Sequence, residues 1–300
     1  MKRKIGIVVV LVACAFLAGL AYLYHSITDR VAGEFFDSDG IRIHFTVEGE
    51  GEPLILIHGF AANADLNWRK PGVLQKLAKE YKVIAIDNRG HGLSEKPHEE
   101  SAYGLPFCED VIRLMDHLGI PKAHVVGYSM GAFITLKLVT LHPDRVISAV
   151  AGGAGWEDPE SGEAERYDIA NALDYTGNFG PLFEAISPPG KAPEGWVLRQ
   201  INFTLSLTND TEALAHVMRA LDGLVVAEAE LRANSVPLLS IVGADDPLRA
   251  GVDRMNGVMG RHESIYIEGG DHISTIADPA FAEAILAFLK KHPAQAAVTQ

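Results

Sequence analysis

Gly127-Tyr128-Ser129-Met130-Gly131 stands between an apolar run at residues 123–126 and a helical pattern carrying Phe133, Leu136, Val139 and Thr140. A serine on a sharp strand-to-helix turn is held in strained backbone geometry, with its hydroxyl presented clear of the sheet. Glycines two residues to either side relieve the crowding where strand meets helix. The helix that follows aims free N–H groups and the positive end of its dipole at the same point, which favours developing negative charge. A Gly-rich turn capped by serine is the plain alternative, since serine is a common N-cap. The strand before and the helix after favour a nucleophile, and Ser129 is the candidate.

Working outward, residues 54–57, 83–86, 124–126, 146–150, 238–242 and 265–267 are short apolar runs without alternation. Strands buried on both faces of a parallel sheet read this way. Residues 41–47 differ: Ile41, Ile43, Phe45 and Val47 alternate with Arg42, His44 and Thr46. That period of two predicts a half-buried strand, paired antiparallel with residues 34–37 through Ser38-Asp39-Gly40. Helical faces lie between the runs, among them Val73, Leu74 and Leu77, then Val111, Ile112, Met115 and Leu118, and a last helix from Asp278 to about Lys290. Strand and helix in alternation imply right-handed βαβ units and an α/β fold with a doubly wound sheet. Residues 154–232 break the pattern, with helical segments at 212–221 and 225–231 and no strand between them. A stretch of that length is too long for a structureless loop, so a helical cap inserted over the sheet is expected. The expected organisation is an N-terminal segment at 1–30, a core at 31–153 and 233–300, and the cap at 154–232.

A neutral serine hydroxyl needs an adjacent base, itself oriented by an acid. His272, in Glu268-Gly269-Gly270-Asp271-His272, follows the last strand and precedes the last helix. That places it at the C-terminal edge of the sheet, where catalytic groups of open α/β sheets gather. His44, on an outer strand, and His98, His117, His142 and His292 read as solvated or structural. In Val242-Gly243-Ala244-Asp245-Asp246-Pro247 only one of the two carboxylates can face the imidazole; Asp246 is favoured, with Asp245 facing solvent or capping the turn. Acyl transfer also needs two N–H donors for the oxyanion. The amide of Met130 is one candidate and that of Phe60, in His58-Gly59-Phe60, the other; His58 is expected to brace the loop. Asp87-Asn88-Arg89-Gly90-His91-Gly92-Leu93-Ser94 reads as a structural turn whose Asp and Arg pair locally. No metal-binding spacing appears, and no metal or organic cofactor is expected.

The net charge of -13, from 39 acidic against 26 basic residues, argues against nucleic-acid binding, which needs clustered Lys and Arg. Of the two cysteines, Cys14 lies in an apolar run, so a Cys14–Cys108 bridge is topologically awkward and cysteine usage does not identify a compartment. That run extends from residue 5 to residue 24, after Lys2-Arg3-Lys4. It matches the roughly 20 apolar residues that cross a bilayer and exceeds the h-region of a cleaved signal. A membrane anchor is therefore expected, with the catalytic domain periplasmic or extracellular because the basic flank stays cytoplasmic. Cleavage near Gly19-Leu20-Ala21, giving a secreted form, and a lipoprotein box at Leu11-Val12-Ala13-Cys14 are the alternatives.

Together these motifs resemble the α/β-hydrolase superfamily, in its capped members: His58-Gly59-Phe60, Asp87-x-Arg89-Gly90-His91-Gly92-x-Ser94, Gly127-x-Ser129-x-Gly131, Gly243-x-x-Asp246 and Asp271-His272. The resemblance covers about residues 34–293. It implies an eight-stranded, mostly parallel sheet with the cap after the sixth strand, and it supports Asp246 over Asp245. Haloalkane dehalogenases and epoxide hydrolases look similar but carry Asp where this chain has Ser129. The His-Gly-Gly-Gly loop of some esterases and the Gly-Pro-Gly extension of many C–C bond hydrolases are absent, which leaves carboxylesterases, lipases and perhydrolases. The expectation is a hydrolase acting on a small-molecule acyl substrate through an acyl-enzyme, with Trp156, Phe179, Trp196 and Phe203 as candidate pocket liners from the cap. The rivals are perhydrolase or haloperoxidase-like chemistry on the same serine, and a ligand-binding protein with little turnover.

Overall fold

Asp39 and Gly40 both take positive φ, 58° and 83°, the backbone of a two-residue turn whose twist matches paired strands. They join β1 (Glu34–Ser38) to β2 (Ile41–Glu48) in an antiparallel pair. The computed structural model describes residues 30–157 and 162–294, so the expected membrane segment lies outside the described residues. Among those described, no helix is long and apolar enough to cross a membrane.

The apolar runs supply the rest of the sheet: β3 (Glu52–Ile57), β4 (Tyr81–Ile86), β5 (Ala123–Tyr128), β6 (Val146–Gly152), β7 (Leu238–Gly243) and β8 (His262–Ile267). The eight strands lie in the order β1-β2-β4-β3-β5-β6-β7-β8. β2 pairs antiparallel with β4, and the remaining neighbours are parallel. Helices α1 (Val73–Leu77), α2 (Pro106–His117) and α3 (Met130–Leu141) connect the first strands. Between β6 and β7 run α4 (Glu163–Thr176), α5 (Gly180–Ile186), α6 (Gly195–Thr208), α7 (Thr211–Ala220) and α8 (Glu228–Ala233). After β7 come α9 (Arg249–Met255) and, beyond β8, α10 (Pro279–Lys291).

Alternate residues of each inner strand build two separate cores, because successive side chains point to opposite faces. Leu54, Leu56 and Val126 pack with Leu77 of α1 and with Phe281 and Ile285 of α10. Ile55, Ile57 and Val125 pack with Phe107 and Val111 of α2 and with Ile134 of α3. Both faces are thus covered, which is why these strands lack polar alternation.

Two elements depart from their sequence patterns. β2 alternates in sequence, yet His44 and Thr46 are buried. The segment after β4 lies over that face: the His44 amide donates to Ser94 Oγ at 2.8 Å, and His44 Nδ1 donates to Asp87 Oδ2 at 3.0 Å. Conversely β8, an edge strand, exposes Glu263 and Ile265 alternately with less exposed neighbours. In the segment after β4 the expected local pairing of Asp and Arg gives way to longer contacts: Asp87 meets His44, while Arg89 donates to both carboxylate oxygens of Asp110 on α2 at 2.7 and 2.6 Å.

Two expected outcomes follow from this packing. Phe281 is fully buried, with its ring 5.6 Å from that of Tyr128, so Phe281→Ala should cost about 3–5 kcal/mol of stability; a urea-denaturation loss below about 1 kcal/mol would contradict that packing role. The second concerns acid. Burial holds the His91 imidazole down at about 3 from 6.5, with nearby His58 adding to the effect. Burial raises Asp87, but the His44 hydrogen bond, His58 and the amides of Leu93 and Ala64 outweigh it and bring the carboxyl to about 2 from 3.8. Both folded-state values are depressed, so the unfolded chain takes up protons first and stability drains as pH falls. The loss should begin below pH 6.5 through His91 and deepen below 3.8 through Asp87. Denaturation midpoints that stay level from neutral pH into this acid range would overturn it.

Candidate active site

β5 ends at Tyr128, and the next residue turns the chain sharply: Ser129 has φ 55° and ψ -118°, a region that non-glycine residues rarely enter. Two close approaches hold it there. A Cβ on Gly127 would fall 1.9 Å from the Gly131 carbonyl oxygen, and one on Gly131 would fall 2.1 Å from that of Ile57. Strand, helix and neighbouring strand therefore meet backbone to backbone, which only glycine permits. The Ser129 amide donates to Gly152 O, at the end of β6, at 2.8 Å.

The other two polar groups arrive from the same end of the sheet. After β7 the chain turns so that Asp245 is exposed and Asp246 is buried. After β8, Asp271 gathers the amides of Ile273 and Ser274 and the Ser274 hydroxyl on one carboxylate oxygen. The Ser274 bonds lower the Asp271 carboxyl below its usual range, and the turn they form projects His272 inward. His272 Nδ1 lies 2.9 Å from Asp246 Oδ2, and Nε2 lies 2.9 Å from Ser129 Oγ. Asp246 accepts the Leu248 amide on its other oxygen at 2.9 Å. An ionised carboxylate has no proton to give, so Nδ1 carries the hydrogen and Nε2 is left to accept from the serine hydroxyl. Tyr128 locks the base from beneath, its hydroxyl donating to the His272 carbonyl at 2.7 Å.

The loop after β3 abuts this turn. A Cβ on Gly59 would reach within 3.1 Å of Ser129 Cβ. His58 is buried, accepts the Asn88 amide on Nε2 at 2.9 Å and donates from Nδ1 to Gly59 O at 2.7 Å. It braces the loop rather than standing free to act as a base. Among the described residues, the amides of Phe60 and Met130 donate to no recorded acceptor, and both residues line one cavity together with Ser129.

That cavity is mostly aliphatic. Phe133 and Leu136 of α3 form one wall, while Ile169, Leu182, Met218 and Val226, from the segment between β6 and β7, form another. Phe133 and Leu136 lie three and six residues past Met130, so one helix face continues the site; the sequence shows that helical spacing but not that the face meets a cavity. Trp156 also lines the cavity, its indole N–H donating to Val226 O at 2.8 Å. Phe179, Trp196 and Phe203 correct the expectation for cap aromatics, since they are not among the residues lining this cavity. Phe179 is fully buried in the core, whereas Trp196 and Phe203 sit exposed on α6. One charged cluster reaches the lining: buried Arg166 donates to Glu157 Oε2 and Asp222 Oδ1, each at 2.8 Å. Burial raises the Glu157 carboxyl against the pull of Arg166.

A second serine, histidine and carboxylate meet elsewhere and show what the first arrangement adds. His124 contacts Ser148 Oγ at 2.8 Å through Nδ1 and Glu52 Oε2 at 3.1 Å through Nε2. His124 and Glu52 lie at the N-terminal ends of their strands, and both Ser148 and His124 are fully buried. Ser148 is 0% exposed, so no reactant reaches that hydroxyl.

Comparison with known proteins agrees with this fold. The family model described as alpha/beta hydrolase fold matches residues 52–179. A 2-hydroxymuconate semialdehyde hydrolase of a Pseudomonas species is 31% identical over 232 residues, 70% of this chain and 75% of that protein. The dihydrolipoyllysine-residue acetyltransferase component of the acetoin cleaving system of Cupriavidus necator is 39% identical over 144 residues, 47% of this chain. The match spans only 37% of that relative's own length. Among solved structures, a membrane phospholipase A superposes with a TM-score of 0.69 over 97% of this chain and 99% of that one. Its identity of 23% speaks for the fold alone. With a hydrolase matched across three quarters of its length and the family model seated on the nucleophile's strand and helix, the chain belongs to the alpha/beta hydrolase family.

Proposed function

We propose that this hydrolase cleaves a carboxylic ester or related acyl bond through an acyl-enzyme on Ser129. One observation carries the reading: an unbroken relay from Ser129 Oγ through both nitrogens of His272 to Asp246, each step 2.9 Å, opening on an apolar cavity. In the proposed sequence Nε2 takes the hydroxyl proton as Ser129 Oγ attacks the substrate carbonyl. Asp246 holds the ring and stabilises the imidazolium. The tetrahedral oxyanion sits between the amides of Phe60 and Met130, where preorganised donors are worth most. His272 then protonates the departing alcohol. Water, deprotonated by the same nitrogen, attacks the acyl group and restores the serine.

The aliphatic lining favours an acyl group without charge near the carbonyl, and helices α4–α8 act in this reading as a cap over it. Residues 5–24 are proposed to tether the enzyme to a membrane, with the catalytic domain outside the cytoplasm; length, apolarity and the basic flank support that reading.

Ser129→Ala should lower hydrolysis of a short aryl ester by about 10⁴-fold or more and abolish labelling by a fluorophosphonate; a variant that still takes the label refutes the nucleophile. Across an acyl series from acetate upward, each methylene buried in the cavity should raise kcat/KM about fourfold, the equivalent of ~0.8 kcal/mol, until the cavity is filled. A flat series would mean that the acyl group lies elsewhere.

A further inference from the structure

Helix α6, with the sequence GWVLRQINFTLSLT, has no buried residue. Trp196 is 69% exposed, Phe203 65% and Leu207 53%. These three lie seven and four residues apart, so at 3.6 residues per turn they share one stripe. The helix is not adrift, for its other side is fixed: Asn202 accepts the Phe179 amide at 3.0 Å and donates to Asn178 at 2.9 Å. A stably held helix thus turns its largest apolar side chains outward.

We propose that this stripe docks onto the surface of a lipid bilayer, resting in its interfacial layer. The inference rests on the reading of residues 5–24 as a membrane anchor. Three features select a bilayer over a protein partner. The chain carries an apolar run of bilayer-crossing length that ends at Tyr24, shortly before the described fold begins at Arg30. The stripe combines Trp, Phe and Leu with Arg199 between them, the composition that settles at headgroup depth. Local charge also fits: from Ser187 to Asn209 two basic residues, Lys191 and Arg199, face one acidic residue, Glu194, giving +1 in a chain of net charge -13. A region relieved of the general acidity can approach lipid phosphates that the rest of the surface repels. The preceding helix α5 supplies Leu182, Ala185 and Ile186 to the cavity wall, so one short segment both lines the cavity and meets the lipid.

The test uses the full chain in phosphatidylcholine vesicles whose acyl chains carry bromine, a quencher of indole emission. Vesicle flotation reads the tether, and tryptophan quenching reads the docked face. Trp68 is buried and Trp156 partly so, which leaves Trp196 as the indole most open to lipid. We expect brominated lipid to quench the wild-type chain and Trp196→Phe to lose most of that quenching. Phe203→Glu with Leu207→Glu should float as before yet lose the same signal. Equal quenching in wild type and Trp196→Phe, or none in either despite flotation, overturns the docked face while sparing the tether. A floating chain whose Trp196 is unquenched and whose mass doubles assigns the stripe to a second copy and also overturns the proposal. A chain that does not float sinks both readings.

Discussion

Contact between bare backbones at the elbow governs this molecule. The built-Cβ distances at Gly127 and Gly131 leave no room for a side chain between β5, α3 and β3. That closeness forces Ser129 to positive φ, a conformation that costs about 1–3 kcal/mol and persists only where its surroundings over-determine it. The surroundings here do so. Every residue of β5 is buried, its two faces feed separate cores, and the Ser129 amide is anchored by Gly152 on the neighbouring strand. Stability spent across the whole sheet thus holds one hydroxyl in place.

The same parallel arrangement explains why the partners arrive at one edge. Strands β3, β5, β7 and β8 run in one direction, so the loops that leave them emerge together. Phe60, Ser129, Asp246 and His272 each lie just after one of these strands. The set of buried Ser148 and His124 with partly exposed Glu52 shares the donor and acceptor types but lies among strand interiors and starts. There the hydroxyl has no access to solvent, and hydrogen bonding to the imidazole satisfies polar groups that burial would otherwise strand. Composition of a hydrogen-bonded set does not make it reactive; its place in the topology does.

Position along the chain carried much of this in advance, and unevenly. Strand runs were readable because burial on both faces removes most polar residues, with His124, Ser148 and Ser240 as buried exceptions. Ser129, Asp246 and His272 were readable because each follows a strand in a Gly-rich turn, so their placement follows from the sheet. His44 has the structural role that was one of its two readings, but its burial was not legible because the segment covering it is far away in sequence, and alternation within one strand cannot report a cover supplied by another. The aromatics of the 154–232 segment were least legible. The helical segments readable at 212–221 and 225–231 do not reach Phe179, Trp196 or Phe203, and without a sheet beneath to fix which face turns inward, the sequence leaves inside and outside interchangeable there. Phe179 went to the core and the other two to the surface. Phe133 and Leu136 are legible as one helical face, while the cavity they line is not, because its opposite wall comes from the distant 154–232 segment.

The imidazole and the hydroxyl it contacts stand 143 positions apart, and β8, which leads to the imidazole, is the last strand in the sequence. During synthesis the chain emerges from its amino end. The segment that carries the elbow is therefore made well before the one that carries the imidazole. A chain interrupted ahead of β8 would hold the Ser129 hydroxyl without its His272 partner, so the contact between them belongs to the completed sheet alone.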